Sequence, residues 1–139
     1  MKRFIIAFFA AFIFMFFWGW FYNGVLLKDV SAEVQNLFRP REEIMGMLHW
    51  IIIGQAGLAL SFVLIYKSGF AGGGIAAGVR LGIMIEFLAV SARCAIYATQ
   101  PFPAKVLVLI SIGGFIEIIV TGVIVGAIYK PVSARSSSQ

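Results

Sequence analysis

Four long apolar stretches alternate with short polar ones along this chain. Each is long enough to cross a hydrocarbon core as an α-helix, which takes about 20 residues. The pattern predicts spans at 4–27, 44–66, 76–98 and 106–129. The polar stretches between them are too short for a separate soluble domain. The expected fold is therefore an all-α membrane protein, a four-transmembrane-helix bundle occupying residues 1–131, followed by a disordered C-terminal tail at 132–139 that is polar and serine-rich.

The breaks between spans carry their own signals. Lys2 and Arg3 followed by an uncharged run resemble the start of a signal peptide, but bulky residues from Phe16 to Tyr22 and the want of a small-x-small site predict retention as a first span. Residues 28–43 form the longest polar connection. Within it Val30, Val34, Leu37 and Phe38 recur at helical spacing, which predicts a short interfacial helix between spans one and two with its apolar face toward lipid. Pro40 suits the first turn of span two. Gly69 and Gly72 to Gly74 read as a flexible turn rather than a phosphate loop, because no strand precedes them and no Lys-Ser/Thr ending follows. Pro101 biases Gln100 away from helix and ends span three, and Pro131 stops span four.

Composition agrees with this pattern. Of 139 residues, 61% are hydrophobic and 12% charged, against roughly 25% charged in soluble domains. The net charge of +5 is spread in ones and twos at the edges of apolar runs, with no basic stripe. That distribution points to membrane lipids and away from nucleic acid. Positive residues fall slightly in excess on the side of the two termini, which predicts both termini in the cytoplasm. A lone Cys94 and a lone His49 provide no disulfide, no metal cluster and no haem ligation, so no metal or cofactor is expected. No serine has a His–Asp partner set, and no enzyme activity is expected.

The candidate chemistry lies inside the membrane. Glu86 and Glu117 fall near the middle of spans three and four, where a charge costs about 2.5–3.5 kcal/mol on insertion scales. Glu86 and Arg93 are seven residues apart and share a helix face. Because helical side chains lean toward the N-terminus, Arg93 is expected to reach back between Glu86 and Glu117, with its planar fork serving both acceptors. Two roles are open for this cluster: a structural lock between helices, or a possible ion or proton site. Gly54 and Gly57 in span two, and Gly122 and Gly126 in span four, are expected helix-packing positions. Asn23 and Gln55 are expected to hydrogen-bond between helices.

The run Trp18-Gly-Trp-Phe-Tyr-Asn-Gly-Val-Leu-Leu-Lys-Asp29, and the stretch from Gly113-Gly-Phe-Ile-Glu117 through Gly122 and Gly126 to Tyr129-Lys-Pro131, resemble a group of small bacterial four-span integral membrane proteins of unknown function. That resemblance implies the architecture and a bacterial cytoplasmic membrane, with no activity attached. In size and span number the chain is also similar to small multidrug-resistance transporters, which carry their essential acid in the first span; this first span has none. The expected function is a multi-pass accessory or scaffold subunit with a structural Glu/Arg cluster. The alternative is a small proton- or cation-coupled transporter acting as a dimer. Expected partners are lipids and a second copy or a larger membrane complex.

Overall fold

A computed structural model describes residues 1–129; the tail at 132–139, with Lys130 and Pro131, lies outside the described residues. Among the described residues there are six α-helices: α1 (Lys2–Phe21), α2 (Lys28–Glu33), α3 (Arg41–Gly46), α4 (Leu48–Ile65), α5 (Gly74–Thr99) and α6 (Ala104–Tyr129). Single π-helical turns extend α1 over Tyr22–Leu26 and α4 over Tyr66–Phe70. Four segments are long and apolar enough to cross a membrane: Lys2–Leu26, Leu48–Phe70, Gly74–Thr99 and Ala104–Tyr129. The chain is an integral membrane protein built as a helical bundle.

The second span begins at Leu48 rather than Ile44 because the backbone breaks at Met47, whose φ of −104° and ψ of 12° end α3 and start α4. It runs on past Tyr66 through the π-helical turn. Gly72, with a φ of 98°, and Gly74, with a φ of 60°, then take left-handed backbone that other residues adopt only with strain, and the chain reverses there. The segment after span one is also broken. Instead of one interfacial helix it forms α2 and a separate 3₁₀ turn over Gln35–Leu37. Val34 is buried against the protein, and the Phe38 ring lies 5.9 Å from that of Phe102. Of the periodic apolar residues, Val34 turns inward and Phe38 reaches the α5–α6 turn at Phe102, while Leu37 stays exposed.

The spanning helices do not form a closed square. α1 packs between α4 and α6, and α6 lies along the whole of α5, its antiparallel neighbour. Among the described residues α4 does not pack along α5; they meet only where the turn at Tyr66–Phe70 reaches the start of α5. The core lies at that end, where Arg3 also approaches the Tyr129 carbonyl. Ala7, Ala11 and Met15 of α1 meet Ala59, Phe62 and Val63 of α4, with Leu81, Ile118 and Val125 closing the cluster. Tyr66, fully buried, donates its hydroxyl to the Gly74 carbonyl at 2.9 Å. At the opposite end Leu48 to Gly54 of α4 are exposed from the bundle.

Candidate functional site

The site is built on the seam between α5 and α6. Gly74, Gly78, Gly82 and Glu86 recur at intervals of four, so they share one face of α5. Gly114, Ile118, Gly122 and Gly126 do the same on α6. Running antiparallel, the two faces meet: a Cβ at Gly78 would collide with the Gly122 carbonyl, one at Gly82 would stand 2.8 Å from the Ile118 carbonyl oxygen, and one at Gly126 would stand 2.7 Å from the Ile75 Cα. Without side chains at these positions the backbones touch, which is how helices gain packing in a solvent that offers no hydrophobic drive between them.

Glu86 is the fourth member of the α5 row. It is 3% exposed, and its carboxylate lies over Gly114, the member of the α6 row directly opposite. Arg93 reaches back along α5, as its position on the same face predicts, and donates from Nη1 to Glu86 Oε1 in an ion pair. Arg93 thus turns toward the depth of the bundle and not toward the nearer membrane surface. A buried charge pair is tolerated only when the partners satisfy each other, and here both partners come from one helix.

Glu117 is placed differently from the expected three-residue bridge. It follows Leu109 and Gly113 at intervals of four on the α6 face that meets α1, whereas Gly114 belongs to the face that meets α5. Arg93 is engaged by Glu86, and the buried Glu117 Oε1 has no hydrogen-bond partner within the protein. Instead the carboxylate borders a cavity of about 80 Å³ whose wall includes Arg93, Trp18, Tyr22, Asn23 and Gly114.

Two α1 residues anchor that wall. Trp18 donates its indole N–H to the Gly113 carbonyl at 3.1 Å, and Tyr22 its hydroxyl to the Leu109 carbonyl at 2.7 Å. Their rings stack with centroids 5.5 Å apart. Trp18 and Tyr22 thus face into the bundle, whereas Trp20 and Trp50 face outward. The Tyr22 ring fills the space over Gly113. Asn23 bonds its own helix, donating to the Gly19 carbonyl at 2.9 Å, and Gln55 of α4 rests against Gly19 from the other side. Neither makes the expected interhelical hydrogen bond. No protein-family model, curated protein or solved structure matches the chain.

The small residues divide in the same way. Gly122 and Gly126 lie on the α5–α6 seam. Gly54 and Gly57 are corrected as packing positions within the chain: a Cβ at either would meet nothing within 4 Å. Their face of α4 turns away from α1, because Ala59, Phe62 and Val63 supply the buried contacts instead. The seam positions not anticipated from the sequence are Gly74, Gly78 and Gly82 of α5. Their signal was legible as an interval of four that ends on Glu86.

A second recess, about 200 Å³ and apolar, lies between the outer ends of α5 and α6. Phe38, Tyr97, Phe102 and Ile110 line it, and Arg93 stands between it and the polar cavity. Among the described residues no group of three or more His, Cys, Asp or Glu side chains is placed to hold a metal ion.

Proposed function

We propose that this protein is a small, non-enzymatic subunit of a membrane assembly, an accessory or scaffold component of the bacterial cytoplasmic membrane whose Glu86–Arg93 pair sets the rotation of α5 against α6. The observation that carries this reading is the placement of the Glu86 carboxylate in the gap left by Gly114, with its ionic partner supplied by its own helix. Such a pair holds one packing arrangement without needing a ligand. The exposed outer half of α4, with Gly54 and Gly57 free of contacts in the chain, leaves a helix face for a second copy or another membrane protein. Lys2, Arg3 and Lys67 cluster at one end, with Lys67 Nζ 5.6 Å from the Phe4 ring centroid and Arg3 near the Tyr129 carbonyl. That clustering supports cytoplasmic termini.

The test is Glu86→Gln in the full chain. Loss of thermal stability in detergent supports the lock, and unchanged stability removes it. A second reading, a proton- or cation-coupled transporter working as a dimer, is favoured by one observation, the unpartnered Glu117 oxygen beside a polar cavity. For that reading Glu117→Gln keeps the fold and abolishes pH-driven flux in proteoliposomes; a chain that drives no such flux in its native sequence ends it.

A further inference from the structure

The transport reading puts ion coupling at Glu117 without fixing which ion the site takes or by what route it arrives. None of the side-chain donors around Glu117 is bonded to it, and the Arg93 guanidinium and the Asn23 amide keep further N–H groups for water. Trp18 and Tyr22 donate to the carbonyls of Gly113 and Leu109, Asn23 to that of Gly19, and Arg93 to Glu86. Glu117 lines the polar cavity, and its buried Oε1 has no hydrogen-bond partner within the protein. An ionised carboxylate without hydrogen bonds is costly in an apolar interior, so whatever fills the cavity must offer the carboxylate a proton or a donor.

The lining selects among ligands. Hard metal ions such as Ca²⁺ take about six to eight oxygens, and this cavity offers a single uncommitted carboxylate with the Arg93 guanidinium in the same wall. An anion would meet Glu117. A proton needs only one carboxylate. At about 80 Å³ the cavity exceeds several-fold the roughly 15 Å³ that a buried water requires, and Glu117, Arg93 and Asn23 supply the two to four polar partners that hold one.

One side of the cavity is also reachable. Asn23 is exposed, and it borders the cavity at the end of the bundle away from Arg3 and Tyr129. Across Gly19 from it, the Gln55 amide nitrogen stands 3.3 Å from where a Gly19 Cβ would lie. This is the end at which Leu48 to Gly54 of α4 leave the bundle. The charged or titratable groups facing the cavity are Arg93, with Glu86 behind it, from α5 and the Tyr22 phenol from α1. The α4 side offers only the uncharged Gln55.

The geometry points to Glu117 as a proton-binding carboxylate loaded through cavity water from the Asn23 end of the bundle. In the step itself a hydronium ion gives its proton to the carboxylate and leaves as water. The Glu86–Arg93 pair belongs to α5 and Glu117 to α6, so the lock and the proton site use different carboxylates. The site stands whether or not a substrate moves, which separates it from the transport reading.

Infrared difference spectroscopy tests this on the full chain in phosphatidylcholine vesicles as the pH is lowered. The other carboxyls also protonate as the pH falls, so the expected result is a protonated-carboxyl carbonyl component present in the native chain and missing from the Glu117→Gln spectrum. Native and Glu117→Gln spectra with the same carboxyl bands across the titration overturn the proposal. Should Glu117→Gln fail to fold, Asn23→Leu keeps the carboxylate and obstructs the mouth: a slower rise of that component after a pH step is expected, and an unchanged rate overturns the route. The Glu117 component without pH-driven flux supports the proton site and discards transport.

Discussion

The carboxylate of Glu86 occupies the space that any side chain at position 114 would need. A Cβ built on Gly114 would stand 2.9 Å from Glu86 Cδ and 3.0 Å from Arg93 Nη2, so glycine at 114 and the acid at 86 are one structural feature shared by two helices. It continues a seam that farther along the helices is backbone against backbone.

Substitutions along the seam are expected to rank by what the new methyl group meets. Gly114→Ala presses on the ends of two side chains, and overpacking of about 1–3 kcal/mol outweighs the roughly 1 kcal/mol that alanine gains over glycine in a helix. Gly78→Ala meets the Gly122 backbone, which cannot turn aside, and should destabilise more. Thermal unfolding in detergent gives the order.

Gly57→Ala is the counterpart on α4. No atom lies within 4 Å of the added carbon, so the monomer should be unchanged or stabilised by up to about 1 kcal/mol. The same variant examined for oligomeric state reads the other side of the question: weakened self-association would place this face in contact with a second copy.

Removing the Tyr22 hydroxyl breaks its bond to the Leu109 carbonyl, which ties α1 to α6. Tyr22→Phe keeps the ring over Gly113 and should lose only the hydrogen bond, about 0.5–1.5 kcal/mol. Tyr22→Ala should lose more, since it also empties the space over Gly113. Equal losses in the two variants would assign no role to the ring.

The loop ion pairs behave differently from the buried one. Lys105 and Glu33 approach to 3.8 Å, and Arg39 and Glu43 to 3.5 Å, all with well-exposed side chains. Exposed pairs contribute about 0–1 kcal/mol, so Glu33→Gln and Glu43→Gln are expected to unfold with the native chain in melts at moderate salt.

Much of the architecture was legible in the sequence because span length and apolar run are set by bilayer thickness, and the Glu86–Arg93 contact followed from a seven-residue spacing and the lean of helical side chains. The partner of Glu117 was not legible. Its depth matches that of Glu86, but its row on α6 runs through Leu109 and Gly113 toward α1, and only the packing order of the helices shows which row meets which neighbour. The same ambiguity misplaced Gly54 and Gly57: small residues at regular spacing mark a face that is able to pack, without saying whether this chain covers it. Val34 and Leu37 illustrate a further limit, since helical spacing alone does not distinguish an apolar residue turned into the protein, as Val34 is, from one left exposed, as Leu37 is.

Glu86 and Arg93 satisfy each other within α5, and this mutual satisfaction is what lets the carboxylate sit buried against Gly114 of α6. A double-mutant cycle of Glu86→Gln, Arg93→Gln and the combined variant, followed by thermal or denaturant unfolding in detergent, measures it directly. Breaking a buried pair from one side leaves an uncompensated charge and costs about 3–5 kcal/mol, so each single variant should lose that much while the double loses far less than the sum. Single variants as stable as the native chain, or a double variant whose loss equals the sum of the two, would contradict the account.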